Sequence, residues 1–191
     1  SSSHVKPTAP ISDTESAYVA EAERLLRQGE PLLAYNVAET GLGHWPGSLR
    51  LKQLLGLALA RSGDLERANR LLAELAEAGV DDAETVGVLA RTHKDLGLRA
   101  RDTQVRDAHL GSAFELYAQA YARARRAGPA NSAYYTGINA ATVAVLRGEL
   151  DEARWLAAEV RDLCHSLDVE PRALDDEYWR QATLGEAALI L

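Results

Sequence analysis

The stretch LLGLALARSGDLERANRLLAEL, residues 54–75, constrains the fold more than any other part of the chain. It holds two apolar helical stripes joined by a Ser-Gly-Asp turn, which is short enough to force the helices side by side. Gly56 falls inside the first stripe and Ala68 inside the second. A glycine within a helix costs about 1 kcal/mol against alanine. Gly56 therefore wants a packing reason, and a close helix crossing supplies one, because the side chains at a crossing set the distance between the axes within about 8–10 Å. A step of 34 residues from Gly56 reaches Ala22 in one direction and Ala90 in the other, and the same step back from Ala68 reaches Ala34. Small residues recur at one spacing, which is the mark of a repeat.

The rest of the chain reads as helix, with strand signals nearly absent. Ser12-x-x-Glu15 forms a capping box ahead of Tyr18, Ala22, Leu25 and Leu26. Gly29 closes that helix, and Pro31 suits the first turn of the next. Helices are expected over about Pro31–Leu42, Ser48–Arg61, Leu65–Ala78, Asp82–Leu96, Asp107–Ala127, Ser132–Leu146, Leu150–Leu167 and from Arg172 to the end. A 34-residue helix pair resembles the tetratricopeptide unit, and Pro46 stands where such a unit places its closing proline. Later units need a shifted register: Ala113 in one, Ala141 with Ala153 in the next, Leu184-Gly185 in the last. The expected fold is all-α, a right-handed α-solenoid of antiparallel helix pairs with about nine helices. No pair can bury its own apolar stripe, so neighbours must complete the core. The third unit is unusual, since an Asp- and Arg-rich insertion at 97–108 separates its helices and offers a surface for a partner or nothing more than a solvated loop.

The 191 residues are 47% hydrophobic and carry a net charge of −7, which suits a folded domain and argues against nucleic acid as a partner. Cys164 is the single cysteine, so no internal disulfide forms, and a reducing, cytoplasmic setting is expected. No apolar run is long enough for a membrane span. Residues 1–11 read as a linker or tag remnant and 12–191 as the repeat domain, expected to be a piece of a longer protein. The abundance of Ala, and of Arg over Lys, suggests a GC-rich bacterial source.

From Ala90-Arg91-Thr92-His93-Lys94-Asp95, through Gly137-Ile138-Asn139, to Tyr178-Trp179, the chain resembles the TRAFs-binding tetratricopeptide region of the apoptosis signal-regulating MAP kinase kinase kinases and its bacterial relatives. The resemblance spans about residues 83–191, and it departs at His93, where that family usually has Tyr. It implies a helical regulatory module for assembly and docking, with no catalytic role. It also implies that Gly137 and Asn139 are structural, the Asn139 amide bonding a neighbouring backbone or inter-repeat loop.

Catalytic signatures are missing: no phosphate-binding loop, no HExxH, no CxxC. The five histidines are scattered, and Cys164 and His165 diverge on a helix. No enzyme activity, cofactor or metal is expected. In tetratricopeptide units the first helices line a concave groove. That register places Arg50, Gln53, Arg91, Lys94, Tyr135 and Trp179 on it, cations beside aromatic rings that suit carboxylate pairing and stacking. Gly56, Ala68, Gly137, Asn139, Ala153 and Gly185 are the expected structural positions. The expected function is a protein–protein interaction scaffold in a signalling or stress-response protein. A ligand-sensing domain controlling a fused effector is the alternative, and an unrecognised enzyme the third reading.

Overall fold

A computed structural model of the chain describes residues 13–127, 133–166 and 183–191. Among the described residues the regular structure is entirely helical: α1 (Glu15–Arg27), α2 (Pro31–His44), α3 (Leu49–Ser62), α4 (Leu65–Glu77), α5 (Ala83–Arg99), α6 (Thr103–Arg126), α7 (Ala133–Leu146) and α8 (Leu150–Ser166). Residues 183–190 are helical as well. The chain divides into two compact units, Ser1–Leu75 and Ala76–Leu191. Among the described residues no helix is long and apolar enough to cross a membrane.

In the first unit α1 packs on α2 and α3, and α2 on α3. The α1 residues Tyr18, Ala22, Leu25 and Leu26 are buried at i, i+4, i+7 and i+8, one apolar stripe of a helix. Small residues permit the close approaches. Ala22, Ala34, Ala38 and Ala68 have no exposed surface. A Cβ on Gly56 would lie 2.7 Å from Leu72 Cδ2, so α4 presses on α3 at that glycine. The 34-residue period also appears in the turns. The Glu30 amide donates to Leu25 O at 2.9 Å, and 34 residues on the Asp64 amide donates to Leu59 O at 3.0 Å. The intervening Gly29 and Gly63 take φ of 75° and 91°, left-handed backbone that glycine adopts without a Cβ clash. The same turn returns after α7, where Glu149 donates to Ala144 O around Gly148.

The second unit stacks α5 on α6, α6 on α7 and α7 on α8. Its core interleaves Leu110, Tyr117 and Tyr121 of α6, Ile138 and Val143 of α7, and Val160 and Cys164 of α8. Ala141 and Ala153 are fully buried. A Cβ on Gly137 would lie 2.5 Å from Val160 Cγ2 and 2.7 Å from the Tyr121 ring. That glycine lets α7 sit between α6 and α8. Tyr121 donates through its hydroxyl to Glu159 Oε1 at 3.0 Å, and Arg125 pairs with the same carboxylate, tying α6 to α8.

Three expectations change. The α1 cap is Thr14, whose Oγ1 accepts from the Ala17 amide at 3.2 Å; Ser12 lies outside the described residues. The Asp/Arg-rich insertion at 97–108 is mostly helix. α5 runs on to Arg99, and α6 begins at Thr103, with the Asp102 carboxylate accepting from the amides of Gln104 and Val105 at 2.8 and 3.2 Å. Gly97 is a packing residue there, since Leu110 stands 3.1 Å from where its Cβ would be. The added residues lengthen the α5–α6 pair instead of forming a loop, which is why the register shifts beyond it. Finally, Gly185 has open space at its Cβ position and is not a crossing glycine of the Gly56 kind.

Candidate functional site

The α5 face that matters is set by its cap and its buried stripe. Asp82 accepts from the Thr85 amide at 3.2 Å and fixes the first turn. Val86, Leu89 and Ala90 then turn inward. That leaves Ala83, Gly87, Arg91 and Lys94, at i, i+4, i+8 and i+11, on one outward stripe. Gly87 has nothing within 4 Å of its Cβ position. The open space belongs to a cavity of about 330 Å³ lined by Asp81, Ala83, Val86 and Gly87 from the α5 end, Ala120, Arg123, Ala124 and Ala127 from α6, and Tyr135 and Thr136 from α7. Alanine and glycine make the floor, so the room comes from missing side-chain volume.

Polar groups stand at the rim. Arg123 faces Asp81 at 3.5 Å with 52% and 67% of their side chains exposed. One turn along α5 from Gly87, Arg91 sits 3.9 Å from Asp95. Tyr135 is exposed. Tyr117 of α6 is almost wholly buried. Burial pushes its phenol up, the Tyr135 hydroxyl adds to that, Arg91 opposes it, and Asp95 adds again. Thr136 is buried and donates to Ala133 O at 3.1 Å, so it serves the helix.

Tyr135 thus lines this cavity in the second unit, and Arg91 and Lys94 lie further along the α5 stripe that carries Gly87. Arg50 and Gln53 belong to the first unit. There the Arg50 guanidinium donates to Glu23 at 2.9 Å and to Gln53 Oε1 at 2.7 Å, linking α1 to α3, and Gln53 is buried. Trp179 lies outside the described residues. Asn139 is half-buried, and its Nδ2 donates to Tyr135 O, one turn back in α7, at 2.8 Å. Its amide is used within its own helix.

Sequence reasoning missed Gly87, Asp81 and Arg123. The available signal was Ala83/Gly87 and Ala120/Ala124, two pairs of small residues at i, i+4. It also missed the meeting of His93 and His109, whose Nδ1 atoms lie 3.0 Å apart across α5 and α6. One nitrogen donates the proton and the other accepts it. Burial, then the second ring, lowers the His93 pKa to about 4. The unfolded chain takes up this proton near pH 6.5. Between those values the unfolded state binds the proton and the folded state does not. This group's contribution to stability is therefore complete above about pH 6.5 and is lost as pH falls toward 4. Thermal melts from pH 7 to 4 are expected to show a falling midpoint that is shallower in His93→Gln; parallel curves would remove His93 as a source of the dependence.

Among the described residues no group of three or more His, Cys, Asp or Glu could hold a metal ion. The model of one family, Tetratricopeptide Repeats-Sensor, matches residues 18–144. No curated protein sequence matches the chain. Among solved structures the chain is similar to a thermophilic TPR protein of Thermus thermophilus, at 18% identity and a TM-score of 0.62, over 93% of this chain and 88% of that one. MamA 41-end from Desulfovibrio magneticus RS-1 matches at 15% identity and a TM-score of 0.63, over 95% and 97%. A human IFIT1 dimer with PPP-AAAA matches at 12% identity and a TM-score of 0.64, over 93% of this chain and 40% of that one. At these identities the likeness shows the fold, all-α and tetratricopeptide-like, as the repeat predicts.

Proposed function

We propose that this chain, which belongs to the Tetratricopeptide Repeats-Sensor family, is a non-catalytic docking module of a signalling protein, and that the α5–α7 face of its second unit receives an acidic protein partner. One observation carries the reading. Arg123 and Tyr135 line an open apolar cavity together with Gly87, and Arg91 and Lys94 follow Gly87 along the same stripe of α5. The resemblance to the TRAFs-binding region supports the signalling context. Half-exposed Arg50, its guanidinium held by Glu23 and Gln53, is proposed as the cation of the first unit.

The test uses matched acidic, neutral and basic peptides against the purified 191-residue chain. Acidic peptides are expected to bind, and less tightly at high salt, because salt screens the pairing of their carboxylates with the local cations Arg91, Lys94 and Arg123. Arg91→Glu with Lys94→Glu should weaken that binding about tenfold or more. The helical circular dichroism should be unchanged, since exposed ion pairs contribute about 0–1 kcal/mol to stability. Equal binding of basic peptides, or full retention by the folded double variant, would sink the proposal.

A second reading is a ligand-sensing domain that controls a fused effector. It draws support from the family's description as a sensor and from the cavity, whose volume sits at the lower end of the range of about 300–1,000 Å³ for small-molecule sites.

A further inference from the structure

We infer that the α5–α6–α7 cavity is the anchor pocket of the docking face: it takes one bulky apolar side chain, Leu or Phe in type, from a partner segment that carries carboxylates on either side of it. This rests on the docking reading and adds what the partner must present. The pocket floor is built from Ala83, Val86, Gly87, Ala120 and Ala124, which offer dispersion contacts and no fixed polar group. Such a surface rewards apolar area and is indifferent to hydrogen bonding.

The mouth decides between a free ligand and a tethered side chain. Small-molecule sites bury about 70–90% or more of the ligand's surface. Here Arg123 and Tyr135 at the rim are 52% and 43% exposed, so the pocket opens broadly along the face. A side chain delivered by a backbone lying across the rim fills that shape, and its backbone covers the opening. The flanking chemistry follows from the cations. Arg91 lies along α5 from the pocket, Arg123 lies at its edge, and Arg126 is exposed one turn further along α6. The Asp81 and Asp95 contacts, at 3.5 and 3.9 Å, hold the guanidinium groups of Arg123 and Arg91 loosely enough for an incoming carboxylate to share them.

Gly87 makes the test clean. Its Cβ position is open, its φ is not positive, and it lies inside a helix. Gly87→Leu therefore fills the pocket from within while Leu remains the better helix former. The probes are five-residue peptides, acetyl-Asp-Glu-X-Glu-Asp-amide, with X as Leu, Phe or Gly. Binding is followed by the alanine methyl resonances of Ala120 and Ala124 and by titration of the whole 191-residue chain. The Leu and Phe peptides should bind about tenfold or more tightly than the Gly peptide, and they should shift both methyls. Gly87→Leu should abolish that preference while leaving the weak binding of the Gly peptide as it was.

Equal binding of all three peptides, lost on Arg91→Glu with Lys94→Glu, would overturn the pocket inference and leave the docking reading standing. Binding unaffected by either change would overturn both. Absence of any peptide-induced methyl shift overturns the inference, as does a preference for Leu that survives Gly87→Leu. Indole alone shifting the methyls as strongly as the Phe peptide would assign the pocket to a free ligand. A change in sedimentation mass of the unliganded chain on Gly87→Leu would assign it to a second copy. Either result would overturn the proposal.

Discussion

Gly137→Ala is expected to destabilise the chain by about 2 kcal/mol, although alanine is the better helix former. The helix term favours alanine by about 1 kcal/mol. Against it stands a methyl group placed 2.5 Å from Val160 Cγ2 and 2.7 Å from the Tyr121 ring. Overpacking a closed core costs about 1–3 kcal/mol, occasionally more. The upper end applies at Gly137, because neither neighbour can yield cheaply. Val160 is β-branched and fully buried, which holds its rotamer. Tyr121 is pinned through its hydroxyl to Glu159 and through that carboxylate to Arg125. Gly56→Ala is the matched comparison. Its new methyl would meet Leu72 Cδ2 at 2.7 Å and Cγ at 3.0 Å. Leu72 is buried as well, but it is not β-branched and no hydrogen bond pins it, so the helix term offsets more of the cost. Denaturant titration should show a clear drop in midpoint for Gly137→Ala and a smaller one for Gly56→Ala. Equal midpoints for wild type and Gly137→Ala would mean that α6 and α8 can move apart around α7.

The contrast between those glycines marks where sequence reasoning reached and where it stopped. Gly56 was legible as a close approach, because a mid-helix glycine asks for a reason; Gly137 was reached only as a structural position that the resemblance implies. How hard each approach is was not legible, since that depends on which atom arrives from another helix. The 34-residue period was legible in the small residues Ala22, Gly56 and Ala90, and in Ala34 and Ala68; the matching Gly29 and Gly63 turns came with the structure. The 97–108 segment was misread as an insertion between the helices because its Asp and Arg content looks solvated. Asp102, a capping residue followed by a helix-compatible run, was the signal for where α6 begins. Register alone named Arg91, Lys94 and Tyr135 as candidates, and of these Tyr135 lines the cavity. The cavity itself was not legible, because a cavity is made of absent volume from three helices, and the sequence records only what is present on each. The His93–His109 contact, across 16 residues, needed the helix crossing itself.

Ala68→Leu should be the second large loss, about 1–3 kcal/mol or more by overpacking. Ala68 has no exposed surface, and Leu72, one turn along the same helix, already fills the space over Gly56. The extra carbons of a leucine have no solvent path, so α4 must move away from α3 and carry Leu72 with it. That separation opens a gap over Gly56, and dispersion contacts are lost there as well as strained at residue 68. Ala34, one period earlier and equally buried, should behave alike if the repeat describes the packing and not merely the spelling of the chain. Glu66→Ala, on the exposed side of α4, should change stability by less than about 0.5 kcal/mol. The measurement is a set of urea midpoints for the three variants and wild type. Ala34→Leu and Ala68→Leu falling together, with Glu66→Ala unmoved, is the expected pattern. Ala68→Leu matching wild type would show that the residue does not lie at a helix crossing, and the 34-residue register would then have to be redrawn.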